Sequence, residues 1–329
     1  MKNLVCIKKT AFLFLPFFFL LLAACDNSEP VIVKLSEPEL QAVALRRSEV
    51  LVGNEWVIAN MRNPDVHILE LGRTAEEYAS GHIEGAKFVD WRVDISDQSQ
   101  PDKYNILPSE DFQQLMSELG IDNDSTILLY DSMDNRASTR VYWILKYYLH
   151  DSVKILEGGL SAWTNAQLGL TNTYTYIAKS DYRLSQVKGT LLVDMQYLLN
   201  NPVSDNFHIV DGRPFAQYTG EAPGSVYHTG SEHIREGHIY GAQSVPWADN
   251  LNPDGSFKDY DELLALYEAH HVSRGGIVVT YCNEGLHAAM PWFVLSELLG
   301  YEDVRLYDSS MVEWANLSST PMITGEHCM

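Results

Sequence analysis

The chain has 329 residues, 46% of them hydrophobic and 20% charged. That is enough apolar material for about two domains and excludes wholesale disorder. With 23 Lys and Arg against 44 Asp and Glu the formal charge is −21; so acidic a surface repels a phosphate backbone, and no nucleic-acid partner is expected. The four cysteines (Cys6, Cys25, Cys282 and Cys328) are too few and too scattered for a disulfide scaffold or a zinc cluster. No metal-ligand spacing and no Gly-rich phosphate loop occurs, so neither a metal nor an organic cofactor is expected.

Residues 1–24 read as a targeting segment. Lys2, Lys8 and Lys9 precede an apolar run, Ala11 to Ala24, with no acid before Cys25. The run is too short for a bilayer-spanning helix of ~20 residues. It ends in Leu22-Ala23-Ala24-Cys25, which resembles the lipobox of bacterial lipoproteins. The resemblance implies cleavage before Cys25 and lipid on its thiol; a plain secretory signal or a crude membrane anchor is the alternative. Asp26 resembles the signal that retains lipoproteins in the inner membrane of Gram-negative bacteria, which implies a lipid-anchored chain facing the periplasm. Residues 25–40, with Asn27, Ser28, Glu29 and Pro30, read as a flexible linker.

The rest of the chain repeats itself. Val66-His67-Ile68-Leu69-Glu70 recurs as Phe207-His208-Ile209-Val210-Asp211, and Gly81-His82-Ile83-Glu84-Gly85-Ala86 as Gly237-His238-Ile239-Tyr240-Gly241-Ala242. Val153-Lys154-Ile155-Leu156-Glu157 recurs as Val304-Arg305-Leu306-Tyr307-Asp308, followed at equal spacing by Trp163 and Trp314. Matches in the same order, with spacings that differ only by loop-sized amounts, mark a duplication. Short apolar runs predict buried parallel strands at His67–Leu71, Thr126–Tyr130 and Val153–Leu156, then at Phe207–Val210, Gly276–Tyr281 and Val304–Tyr307. Helical patterns fall between them, over Ser109–Leu119, Arg140–Tyr148, Tyr260–His270 and His287–Leu299. The expected fold is α/β: two tandem domains, 41–170 and 190–329, each a parallel sheet with helices on both faces, joined by a linker over 171–189 that includes the polar stretch Thr171–Asp181.

The segment richest in chemistry is Tyr281-Cys282-Asn283-Glu284-Gly285-Leu286-His287-Ala288. A buried strand ends at Tyr281, a short loop follows, and a helix begins near His287. Such a loop turns successive backbone N–H groups toward the sulfur and adds the positive end of a helix, both of which favour a nucleophilic thiolate. Gly285 permits the tight curvature. An inert buried cysteine is the alternative for Cys282 taken alone.

The ordered set of Asp211-Gly212-Arg213, Gly237-His238-Ile239-Tyr240-Gly241-Ala242, Val245-Pro246-Trp247, Tyr281-Cys282-x-x-Gly285 and Tyr307-Asp308-x5-Trp314 resembles the rhodanese-like sulfurtransferases in their tandem form, from about residue 45 onward. The resemblance implies that Cys282 accepts a sulfane sulfur as a persulfide from a small donor of the thiosulfate or 3-mercaptopyruvate class and passes it to cyanide or a thiol. The loop residues Asn283, Glu284, Gly285, Leu286 and His287 would cradle the persulfide and bind substrate. Asp211, Arg213 and His238 would support the site, with His82 and His238 shaping turns rather than doing chemistry. In the first copy Asp131 occupies the cysteine slot, which implies an inactive half. Trp163 and Trp314 read as core anchors.

The loop departs from thiosulfate-using members in carrying no Lys or Arg between Cys282 and Ala288, and Gln217 stands where a substrate-binding arginine is expected. Glu284 opposes a thiolate: two unit charges ~5 Å apart at an effective dielectric of ~20 interact by ~3 kcal/mol. His287 is expected to offset it with a charge that switches near pH ~6–7. Met311 replaces a tryptophan expected after the Tyr307-Asp308 turn. The residue six after the cysteine is Ala288 rather than the arginine of a phosphatase loop, so a phosphatase is not expected. Cys328 reads as a residue of a frayed tail, with a resolving thiol as the alternative. A non-catalytic binding or sensing module, or a dedicated periplasmic persulfide carrier, is the rival to an enzyme.

Overall fold

A computed structural model describes residues 36–99, 105–226 and 230–326. The targeting segment, Cys25, the linker as far as residue 35 and Cys328 lie outside the described residues. Helix α1 (Glu37–Val50) starts inside the stretch 25–40 that composition marks as a flexible linker, so that expectation is corrected from Glu37 onward. The helix was illegible because it has no apolar stripe. Instead Arg47 reaches Glu157 on one side and the carbonyls of Phe257 and Lys258 on the other, which ties α1 to both halves of the molecule.

Strands β1 (Leu51–Val52), β2 (Val66–Leu71), β3 (Ala86–Phe88), β4 (Thr126–Asp131) and β5 (Val153–Leu156) form a wholly parallel sheet in the order β1-β5-β4-β2-β3. Ile127, Leu128, Leu129 and Tyr130 of central β4 are all buried, as a parallel strand covered on both faces requires. The connecting helices are α2 (Asn54–Asn60), α3 (Ala75–Ser80), α4 (Ser109–Glu118), α5 (Arg136–Tyr147) and α6 (Gly159–Asn165). Helix α3 begins at a reciprocal cap: Thr74 accepts from the Glu77 amide, and the Glu77 side chain accepts from the Thr74 amide.

The second half repeats the plan with β6 (Leu192–Val193), β7 (Phe207–Asp211), β9 (Gln243–Ser244), β10 (Ile277–Tyr281) and β11 (Asp303–Tyr307), in the order β6-β11-β10-β7-β9. An added β8 (His238–Ile239) pairs antiparallel with β12 (Met322–Ile323). Its helices are α7 (Met195–Asn200), α8 (Phe215–Thr219), α9 (Tyr260–Ala269), α10 (Ala289–Phe293), which runs on into a π turn over Val294–Leu298, and α11 (Ser310–Trp314). Thr171–Asp181 has no helix or strand, but the chain is pinned to the first half as it leaves this stretch. The Ser180 amide donates to Ser117 O, and the Leu184 amide to Gln113 Oε1.

One feature of this plan positions the loops. Helices α5 and α10 each follow a central strand, β4 and β10, and they pack against each other across the two halves. Tyr142 meets Phe293 edge-on with ring centroids 4.9 Å apart. Both belong to a single cluster of buried side chains that reaches from Leu69 and Ile127 to Val278 and Leu306. The strand-to-helix loops after β4 and β10 are thereby brought together.

Candidate active site

Parallel pairing sets Tyr281, the last residue of β10, beside Asp211, the last of β7. Tyr281 Oη donates to Asp211 Oδ2 at 2.6 Å and accepts from the Ile239 amide at 3.2 Å. Asp211 also holds Arg213, whose Nη2 lies 2.6 Å from Oδ2 and donates onward to Gly237 O at 2.9 Å. Both charges are buried, and the pair stands because its hydrogen bonds are filled. Asp211 and Arg213 therefore answer each other beneath the loop. His238 stacks on Tyr218 with centroids 3.7 Å apart and bonds Tyr218 O through Nδ1, while His82 does the same with Tyr78 in the first half. The repeated Gly-His-Ile element shapes a turn in both places.

Cys282 follows directly and is 1% exposed. Its amide donates to Ser310 Oγ, and its carbonyl accepts from the Met311 amide, so the turn after β11 clamps the cysteine backbone. The Gly285 amide donates to Cys282 Sγ at 3.1 Å. The amides of Glu284 and Ala288 also favour the sulfur's anionic form. Gly285 has φ +88°, in the left-handed region, and packs against Arg140 and Asp308. Asn283 donates to Gln217 Oε1 at 3.0 Å and meets His233 Nε2 at 3.1 Å. Gln217, Ser225, Cys282, Asn283, Glu284, Leu286 and His287 enclose a cavity of about 90 Å³, room for about three waters or one small anion.

Burial pushes the Cys282 thiol up, the Glu284 carboxylate adds to that, and the loop amides pull the other way without cancelling it. The expectation that loop and helix alone leave a thiolate is corrected to that extent. His287 is corrected more sharply. Burial, and then the Arg136 guanidinium beside it, lower its pKa to about 3, so it is neutral at pH 6–7 and supplies no switchable charge. Arg136 Nη1 donates to His287 Nε2 at 3.3 Å, which leaves the ring proton on Nδ1.

A rhodanese-like domain model matches residues 53–166 and again residues 194–317. The chain belongs to the rhodanese family. The sulfur carrier protein TtuD of Thermus thermophilus is 34% identical over 281 residues, covering 84% of this chain and 98% of that protein. A candidate thiosulfate sulfurtransferase of Mycolicibacterium smegmatis is 31% identical, covering 85% of this chain and 100% of that protein. Among solved structures, SseA of Escherichia coli, described as a 3-mercaptopyruvate sulfotransferase, superposes with a TM-score of 0.70 at 28% identity, covering 79% of this chain and 98% of that one.

The first rhodanese half keeps the loop but fills it differently. Asp131 is buried, and its carboxylate accepts from the amides of Met133 (2.7 Å), Asn135 (3.0 Å) and Ser138 (2.7 Å). Asp131 is thus a structural carboxylate in an amide cradle. The first half also supplies the cations that the second rhodanese loop lacks. Arg140 is wholly buried and pairs with Asp308 at 2.6 Å against Gly285, and Arg136 lies beside His287. Neither was singled out from the sequence, nor were Ser310 and His233. The available signal was the Arg136-x3-Arg140 spacing directly after the Asp131 loop, which puts two cations on one helix face.

Proposed function

We propose that this tandem rhodanese is a sulfurtransferase in which Cys282 carries the sulfur. The observation that supports this most directly is the Gly285 amide donating to Cys282 Sγ at the wall of a small cavity, in a loop whose Glu284 and Ala288 amides also favour the sulfur's anion. The Cys282 thiolate attacks the outer sulfur of a thiosulfate-class donor or the thiol sulfur of a 3-mercaptopyruvate-class donor. A new S–S bond forms, and the bond from that sulfur to the rest of the donor breaks, with the electron pair leaving on the donor residue. The loop amides hold the terminal charge of the persulfide. Cyanide or a thiol then attacks the terminal sulfur, the S–S bond breaks, and the Cys282 thiolate returns.

The buried thiol and Glu284 beside it favour a second reading, a persulfide carrier that serves one partner with little turnover on small donors. Location is also a proposal: the motif Leu22-Ala23-Ala24-Cys25-Asp26 supports lipid on Cys25 and anchorage to the inner membrane, facing the periplasm.

Intact-mass measurement of the detergent-solubilised full chain tests the chemistry, with thiosulfate and 3-mercaptopyruvate as donors. A gain of about 32 Da that Cys282→Ser abolishes is the expected result; no gain from either donor overturns the small-donor enzyme. Fractionation of cells carrying Cys25→Ser tests the anchor, and retention of the variant in the membrane overturns it.

A further inference from the structure

Three arginines surround the Cys282 loop, and two of them are neutralised. Arg213 is paired with Asp211 and Arg140 with Asp308, each at 2.6 Å in a buried setting. Arg136 differs. Its Nε donates to Met133 O at 2.9 Å and its Nη1 to His287 Nε2 at 3.3 Å, and the guanidinium lies over the Trp247 ring at 4.5 Å. Among the described residues no carboxylate pairs with it and Nη2 has no acceptor. An uncompensated, half-buried cation is conspicuous in a chain of net charge −21. The cavity it adjoins through His287 has neutral Gln217, Ser225 and Asn283 and acidic Glu284 in its lining, and no Lys or Arg. The ring between Arg136 and that cavity is uncharged at neutral pH, so it neither screens nor competes with the guanidinium.

We propose that Arg136, contributed by the rhodanese half that has no cysteine, is the specificity-determining residue for the sulfur donor. It would receive an oxygen of the donor's anionic end, a sulfonate-type or carboxylate group, on its free Nη2, and so turn the donor's sulfur toward Cys282. The inference rests on the reading of Cys282 as the sulfur acceptor. It makes the active site a composite of both halves, with the charge from one and the nucleophile from the other.

The test compares wild-type full chain, Arg136→Gln and Arg136→Lys in detergent. Alkylation at Cys282 is followed by peptide mass mapping, once with anionic iodoacetate and once with neutral iodoacetamide, alongside KM and kcat for 3-mercaptopyruvate. In Arg136→Gln the iodoacetate rate should fall about tenfold, as expected for losing one nearby charge in a partly screened site. The iodoacetamide rate should stay within about twofold, showing that the loop is intact, and KM should rise more than kcat falls. Arg136→Lys should restore most of the iodoacetate rate. An unchanged ratio of the two rates, or an equal fall in both, overturns the proposal. A chain that loses anion preference in Arg136→Gln but takes up no sulfur in the wild type supports the anion site and overturns sulfur transfer instead.

Discussion

Gly285→Ala probes whether the loop geometry depends on the other half of the molecule. A Cβ at Gly285 would lie 2.8 Å from Arg140 Nη1 and closer still to Asp308 Oδ1. These atoms cannot retreat freely, since Arg140 and Asp308 are a buried ion pair with side chains 0% and 4% exposed. Two costs add. Holding an L-residue at φ +88° costs about 1–2 kcal/mol. Prising apart a buried pair costs about 3–5 kcal/mol, because each charge is left uncompensated. The sum, about 4–7 kcal/mol, is a large part of the 5–15 kcal/mol that holds a typical domain together. Gly275 separates the two terms: it has the same φ of +88°, and a Cβ there meets nothing within 4 Å. Urea unfolding followed by tryptophan fluorescence should therefore show a small loss of midpoint for Gly275→Ala. The loss for Gly285→Ala should be larger by about 1 M or more, given a slope of about 3 kcal/mol/M. Iodoacetamide labelling of Cys282 should change in Gly285→Ala alone. Equal midpoint losses for the two variants would refute the argument that the Arg140–Asp308 pair braces the loop.

Glu284→Gln removes the carboxylate that opposes the thiolate, so the pH profile for alkylation of Cys282 should move to lower pH. In the wild type that rate should climb through pH 8–9 without levelling off, since burial holds the thiol up. A profile that does not move in Glu284→Gln would exclude the carboxylate as a cause. His287→Gln should leave the region around pH 6–7 featureless, as in the wild type, because a ring with a pKa of about 3 is neutral on both sides of that window; an inflection there in wild type that the variant loses would contradict this. Asp211→Asn strips Arg213 of its buried countercharge and should lower stability by about 3–5 kcal/mol, read as a fall in the thermal midpoint. A loss under about 1 kcal/mol would mean that Arg213 finds another partner.

The fold was legible because duplication offers each signal twice. All six predicted strands lie within a residue of the observed ones at each end, and the two turn histidines stack on tyrosines, Tyr78 and Tyr218, that recur at matching places in the two copies. Helix α1 escaped because it is held by Arg47 at a junction rather than by an apolar face, and no period in the sequence records such a contact. The electrostatics of the loop escaped for a related reason. Reading outward from Cys282, the residues in sequence are acidic or neutral, and His287 looked like the available cation. Burial and Arg136 determine its state, and both come from packing α5 against α10, which places a residue near 136 beside one near 287. A charge supplied across a domain boundary leaves no signature in the residues around the loop it serves.

Asp131 bears on the chemistry at Cys282. Its loop, built on the same plan, presents three amide N–H groups at 2.7–3.0 Å to a full negative charge. Burial still pushes that carboxyl up, although the amides pull it down. An amide cradle of this fold thus accommodates an anion without making it free of cost, and the Cys282 thiol, raised in the same way, fits that pattern. The second loop is accordingly suited less to a resting thiolate than to a charge that arrives later. A persulfide ionises more readily than a thiol and carries its charge one atom farther from Cβ, as the oxygens of Asp131 do. On this argument the cradle's main stabilisation falls on the sulfur-loaded state rather than on the free enzyme. Loading is then favoured over resting ionisation, and on the proposal above a donor that brings its own negative charge would meet Arg136, which no carboxylate among the described residues pairs with.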